Sequence, residues 1–350
     1  MKIVLTLLAG LILTLQPVAR GDEVALTGAG ATFPKPLYEK WAAEYTKAHP
    51  DARINYQGIG SGGGIKGISD MSIDFGATDG PMTDKQLEKA PGILHIPMIL
   101  GAVVPVYNVP GIAADKPLVF SGPVLAELFL GKITKWNDAK IAELNPDVNL
   151  PDRPVTIVHR SDGSGTSYIW TDYLAKVSAD WKSGPGNATS VNWPTGRGAK
   201  GNDGVAADVK QNPGSLGYVE LIYAANNKIA YGDVINPAGK TIHASEESVS
   251  AAAASLKNPA EDLRISITTC EGDAAYPISS FTWILLYKEQ PDAAKGKALV
   301  DFLWWATHDG QSLAQPLHYA PLPKEFVPIV EAKLKSVTAG GQAVLAAHAE

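Results

Sequence analysis

This chain of 350 residues holds a single cysteine, Cys270. A disulfide within the chain is thereby excluded, and a lone thiol is more often a small buried hydrophobe than a nucleophile or ligand. The seven histidines are scattered and form neither H-x-x-x-H nor H-E-x-x-H, so no zinc centre is expected. Charged residues make up only 19% and the net charge is −6. That balance argues against nonspecific nucleic-acid binding. Gly131-Lys132 lacks the upstream glycine and the following Ser/Thr of a phosphate-binding P-loop. There is no internal repeat of 20–50 residues and no heptad run. Past the N-terminus, no apolar stretch is long enough to span a bilayer.

What is present begins with a leader. Lys2 supplies a positive start, Ile3 to Leu15 is an apolar core of signal-peptide length, and Pro17 breaks it. Ala19-Arg20-Gly21 offers small residues for cleavage near Gly21-Asp22, so residues 1–21 are expected to be a signal peptide on an exported protein. Losing Lys2 and Arg20 takes the charge from −6 to −8. With 45% hydrophobic residues the composition is that of an ordinary globular protein. Its length exceeds what one core usually serves, and two domains are expected.

Two serines sit in glycine-rich turns: Gly58-Ile59-Gly60-Ser61-Gly62-Gly63-Gly64 and Arg160-Ser161-Asp162-Gly163-Ser164-Gly165-Thr166. Each follows a strand candidate (Arg53 to Gln57, Val155 to His159) and precedes a helical pattern. Glycine lets backbone N–H groups converge, and a helix start adds unpaired donors and a positive dipole end. Each turn can therefore cradle an anion. About a hundred residues separate them, which predicts one anion held between two lobes. An ordinary N-cap explains either turn equally well when it is taken alone.

The second turn is the more specific. Arg160 offers a fork-shaped permanent cation, and Asp162 can hold it in place. Ser164 and Thr166 can donate hydroxyls, and Gly165 and Thr166 backbone N–H groups. Asp79, in Thr78-Asp79-Gly80-Pro81, is the odd member, because a carboxylate repels an anion. It fits a ligand that carries a proton, as hydrogen phosphate does and sulfate does not. The competing reading is a plain turn residue before Pro81. Gly58-x-Gly60-x-x-Gly63 with Asp79 also matches a dinucleotide fingerprint, but the helix breaks early at Ser69-Asp70. An exported phosphatase would need a metal cluster or an activated serine. Neither serine turn is a G-x-S-x-G elbow, since Ile59 and Asp162 stand two residues before the serines.

Strand, turn, helix, strand from Val24 to Ala77 predicts a parallel α/β sheet, with ligand loops at the carboxyl ends of its strands. Thr32 is expected to cap the first helix, along which Leu37, Tyr38, Trp41, Ala42 and Tyr45 form one face. Ser183 to Gly204, rich in Gly, Asn and Pro, reads as a long surface loop.

Seven blocks, in order, resemble the periplasmic phosphate-binding proteins of high-affinity phosphate ABC transporters. They are Gly28-Ala29-Gly30-Ala31-Thr32-Phe33-Pro34, Tyr56 to Ser61, Asp74 to Ala77, Leu130 to Ile133, Asp162 to Ser167, Gly198 to Gly204, and Gly217-Tyr218-Val219-Glu220. The resemblance implies a two-lobed α/β (Venus flytrap) fold closing on one dehydrated phosphate. It implies lobe 1 from residues 22–102 plus 281–350 and lobe 2 from 103–280, with Ile99–Val109 and Phe281–Tyr287 as crossings. By the same resemblance, Ala31, Thr32, Phe33 and Ser61 reach phosphate, and Asp79 accepts its proton. Arg160 supplies the charge, Asp162 supports it, and Ser164, Gly165 and Thr166 donate from the helix start. Two positions depart from the family: Gly62 stands where a second serine is common, and Ser161 where alanine is. The function implied is a periplasmic receptor, not an enzyme, that works as a monomer without cofactor or metal. It would deliver inorganic phosphate to membrane permease subunits.

Overall fold

Strand β1 (Val24–Gly30) opens a computed structural model that describes residues 23–112, 116–256 and 262–345. The leader expected at 1–21 lies outside the described residues. Helix α1 (Lys35–Ala48) buries Leu37, Tyr38, Trp41, Ala42 and Tyr45, the face read from spacing. Its N-cap position falls at Pro34 with no side-chain cap, so Thr32 does not cap it. Strand β2 (Ala52–Gly58), helix α2 (Ser61–Ser69) and strand β3 (Phe75–Thr78) follow. β1 pairs in parallel with both β2 and β3, as the alternating pattern predicts. Helix α3 (Asp84–Lys89) starts at a Thr83–Gln86 capping box.

Strand β4 (Ile93–Asn108) is 16 residues long and buried along nearly all of its length. Strand β5 (Val119–Phe120) and helices α4 (Gly122–Phe129) and α5 (Ala139–Leu144) lead to strand β6 (Thr156–Arg160). Helices α6 (Gly165–Val177) and α7 (Ala179–Ser183) come next. The region expected to be a surface loop instead supplies strand β7 (Arg197–Ala199), parallel to β6, and the start of helix α8 (Gly201–Gln211). Polar, glycine-rich composition hid them, because an edge strand this short needs no apolar alternation. Strand β8 (Ser215–Glu220) and helix α9 (Leu221–Asn227) follow.

Short strands β9 (Ala230–Tyr231), β10 (Asp233–Ile235) and β11 (Thr241–Ile242) come next, and β11, β10 and β5 make a side sheet. Helix α10 (Glu246–Ala254), strand β12 (Ser279–Tyr287) and helices α11 (Ala293–Thr307) and α12 (Val327–Lys335) complete the set that matters here.

The main sheet runs β2-β1-β3-β12-β4-β8-β6-β7. β4 spans both halves: Ile93 to Ala102 pair with β12, and Val103 to Asn108 pair with β8. The partner changes between Ala102 and Val103, dividing the sheet into a first lobe (β1–β3, β12) and a second (β6–β8). β6, β7 and β8 are mutually parallel, and β8 is antiparallel to β4. The carboxyl ends of β1 and β3 therefore face those of β6, β7 and β8 across the middle of β4. Ligand loops gather at such ends in α/β sheets. Buried tryptophans brace both lobes; the indole N–H of Trp41 donates to Gly310 O at 2.7 Å and that of Trp136 to Gly214 O at 3.0 Å, while that of Trp170 has no partner among the described residues.

Candidate anion-binding site

All ten residues singled out from the sequence lie at the carboxyl ends of strands or at the helix starts beyond them. Ala31, Thr32 and Phe33 follow β1, Ser61 opens α2 after β2, and Asp79 follows β3. Arg160 ends β6, Asp162 lies in the turn, and Ser164 caps α6, where its Oγ accepts from Ser167 N at 3.0 Å. Gly165 and Thr166 form the first turn of that helix. Ser164 thus caps α6 as an ordinary N-cap does, in a turn that packs against the first serine turn.

The two serine turns touch. Gly62 N donates to Gly163 O at 2.9 Å, joining the lobes through the backbone. Gly60 has φ +92°, and a Cβ there would lie 2.4 Å from Asp162 Oδ2. A Cβ on Gly165 would lie 2.4 Å from Ser61 Oγ and 2.5 Å from Asp79 Oδ2. Both glycines are required by this close approach.

Arg160 is buried, and its guanidinium is gripped by Asp162: Nε donates to Oδ1 at 2.8 Å and Nη2 to Oδ2 at 2.5 Å. Gly201 N also donates to Asp162 Oδ1, at 3.0 Å. Burial acts to raise the Asp162 carboxyl, but Arg160 and the Gly201 N–H hold it below the usual carboxylate range. Arg160 Nη1 reaches Thr166 Oγ1 at 3.4 Å.

Asp79 is buried. Thr282, on β12, donates to its Oδ1 at 2.8 Å, while Oδ2 has no partner. Its backbone N–H donates to Ser61 Oγ at 3.2 Å. Desolvation pushes the carboxyl up to about 7, against the lowering effects of Thr282, Arg160 and Ser61. Asp79 Oδ2 is thus a buried carboxyl oxygen without a donor, beside Gly165 and Ser61.

The first loop is tied from behind. Its three consecutive carbonyls each accept from a tyrosine hydroxyl: Tyr56 to Ala31 O at 2.6 Å, Tyr223 to Thr32 O, and Tyr319 to Phe33 O at 2.6 Å. None of the three tyrosines was singled out from the sequence, nor was Thr282 or Asn202. Asn202, at the start of α8, spans the lobes: its Nδ2 donates to Thr32 Oγ1 at 2.9 Å and to Thr166 Oγ1 at 3.0 Å. The only sequence signal for it was its place within Gly198–Gly204.

Residues 17–307 match the PBP superfamily domain. The phosphate-binding protein PstS of Xylella fastidiosa is 48% identical over 89% of this chain and 85% of its own length. The same-named protein of Pasteurella multocida is 47% identical over 89% and 90%. This chain belongs to the PstS family of phosphate-binding proteins. At fold level it is also similar to a phosphate-bound substrate-binding protein of a putative phosphate ABC transporter from Clostridium perfringens. That likeness has a TM-score of 0.63 and 19% identity, over 86% of this chain and 100% of the other. The two-lobed fold expected from the resemblance is thus the family's fold. In this PstS-family chain Gly62 is spent on the interlobe hydrogen bond, while Ser161 N donates to Ala199 O at 3.0 Å, tying β6 to β7.

Proposed function

We propose that this protein is an exported receptor that captures inorganic phosphate between its two lobes and delivers it to the permease of a phosphate ABC transporter. The observation that carries this reading is Asp79 Oδ2, buried and unpartnered opposite a helix start and a buried arginine. Thr32, Phe33 and Ser61 supply donors from the first lobe; the Ala31 N–H, expected to join them, donates instead to Ala77 O at 3.0 Å and only shapes the loop. Ser164, Gly165 and Thr166 supply them from the second, and Arg160, steadied by Asp162, supplies charge. Asp79 accepts the ligand's proton. Sulfate, lacking one, would set its lone pairs against those of Asp79.

The lobe boundaries proposed are 22–102 plus 281–350, and 103–280, and the change of β4 pairing after Ala102 supports them. Closure of the lobes is the signal the permease would read. We also propose removal of residues 1–21 on export to the periplasm and a monomeric receptor that performs no catalysis. Among the described residues, no helix is long and apolar enough to cross a membrane. Titration calorimetry on protein stripped of anion tests the function: phosphate is expected to bind and sulfate to bind far more weakly. Equal binding of the two would overturn the selectivity.

A further inference from the structure

Asn202 touches both lobes of the site, and the hydrogen-bond inventory around it is closed. A hydroxyl has one hydrogen to give and room for two donors. Thr32 Oγ1 already receives two, Asn202 Nδ2 at 2.9 Å and Asn202 N at 3.3 Å. Thr166 Oγ1 also receives two, Asn202 Nδ2 at 3.0 Å and Arg160 Nη1 at 3.4 Å. Among the described residues neither hydroxyl has a protein acceptor. The amide cannot turn over, because Asn202 Oδ1 accepts from Glu220 N at 3.1 Å, which leaves Nδ2 facing the threonines. Asn202 is fully buried, so water does not compete.

We infer that Asn202 is a positioning residue that fixes both threonine hydroxyls as donors toward the anion, one from each lobe. This rests on the phosphate reading above. The consequence is directional. An oxygen that carries a proton finds no acceptor at Thr32 or Thr166, and the free acceptor among these groups is Asp79 Oδ2. Asn202 thereby sets which oxygen of hydrogen phosphate bears the proton. It also holds a bond across the cleft, since Thr32 and Thr166 belong to opposite lobes.

The test is a double-mutant cycle on the full chain, read by phosphate titration and by the phosphate off-rate. Asn202→Ala frees one lone pair on each hydroxyl oxygen, the backbone N–H at 202 and Arg160 Nη1 remaining, and so lets both hydroxyls turn; it is expected to weaken phosphate about ten- to a hundredfold. In a Thr32→Val, Thr166→Val background, where no hydroxyl remains to orient, the same change is expected to cost less than about threefold. Asn202→Leu keeps the branched shape without polar atoms or charge and serves if the alanine variant does not fold; its loss is likewise expected to shrink in the double-valine background. Equal losses in both backgrounds, or no loss in the wild-type background, would overturn the positioning role while leaving the phosphate reading intact. Failure of the wild-type chain to bind phosphate would overturn both.

Discussion

Gly62 N lies 2.9 Å from Gly163 O, a backbone hydrogen bond between the two serine turns and hence between the two lobes. The approach is close enough that a Cβ on Gly62 would stand 3.1 Å from Gly163 Cα. The glycine that departs from the family pattern at this position is thus part of the closed interface. The interlobe contact and the proposed anion site share these turns, so substitutions in them are expected to act on both.

Gly60→Ala is the sharpest test of that contact. The backbone at φ +92° disfavours any side chain, and the new methyl would press on Asp162 Oδ2. Phosphate affinity is expected to fall at least about tenfold, with a stability loss of about 1–2 kcal/mol. Titration calorimetry and denaturant unfolding separate the two effects.

Asp79 governs a pH dependence. Folded, its carboxyl titrates near about 7 because it is desolvated; unfolded, it titrates near about 4. Between these values the folded state keeps a proton that the unfolded state has lost. Stability of the anion-free protein therefore falls as pH rises from about 4 to about 7, by at most roughly 4 kcal/mol, and stays lower above. Asp79→Asn is expected to flatten that slope and to raise stability at pH 8. Its phosphate-to-sulfate ratio should drop, and an unchanged ratio would refute the proton-acceptor role. Urea unfolding across pH, with titrations of both anions, checks each point.

Asp162→Ala would leave the buried Arg160 guanidinium without its partner. Removing one member of a buried pair typically costs about 3–5 kcal/mol. Bound phosphate supplies a replacement negative charge, so saturating phosphate is expected to raise the melting temperature more in this variant than in the wild type. Calorimetric melts with and without phosphate measure the difference.

Tyr223→Phe removes the hydroxyl that reaches from α9 to the Thr32 carbonyl. That bond crosses the cleft, whereas the bond from Tyr56 to Ala31 stays within the first lobe. Loss of the Tyr223 hydroxyl is expected to speed phosphate release by about five- to a hundredfold. Stopped-flow release should show a smaller effect for Tyr56→Phe on the off-rate, because the lobes separate without breaking its bond.

The residues of the site were largely legible because glycine, serine and arginine in a strand–turn–helix pattern announce themselves locally. Ser61 and Ser164 stand where glycine-rich turns open helices, and the face of α1 followed from its period. Thr32 was misread as a cap because capping is a local rule, and a partner 170 residues away, Asn202, had a stronger claim on its hydroxyl. Residues 197–204 were misread as part of a loop because strand β7 is three residues long and polar, and it is strand only by virtue of pairing with β6.

The two turns and the ordered blocks were enough to specify an α/β protein and to propose a divided oxyanion site, since each turn and each block lies within about ten residues. What they left open was which atoms meet. The three tyrosines behind the first loop, the Thr282 hydroxyl on Asp79 and the Asn202 bridge all come from distant parts of the chain. Their positions depend on how β4 passes from one half of the sheet to the other. The raised carboxyl of Asp79 is likewise a product of burial, which no sequence neighbour imposes. Local chemistry chose the donors; the fold aimed their hydrogens.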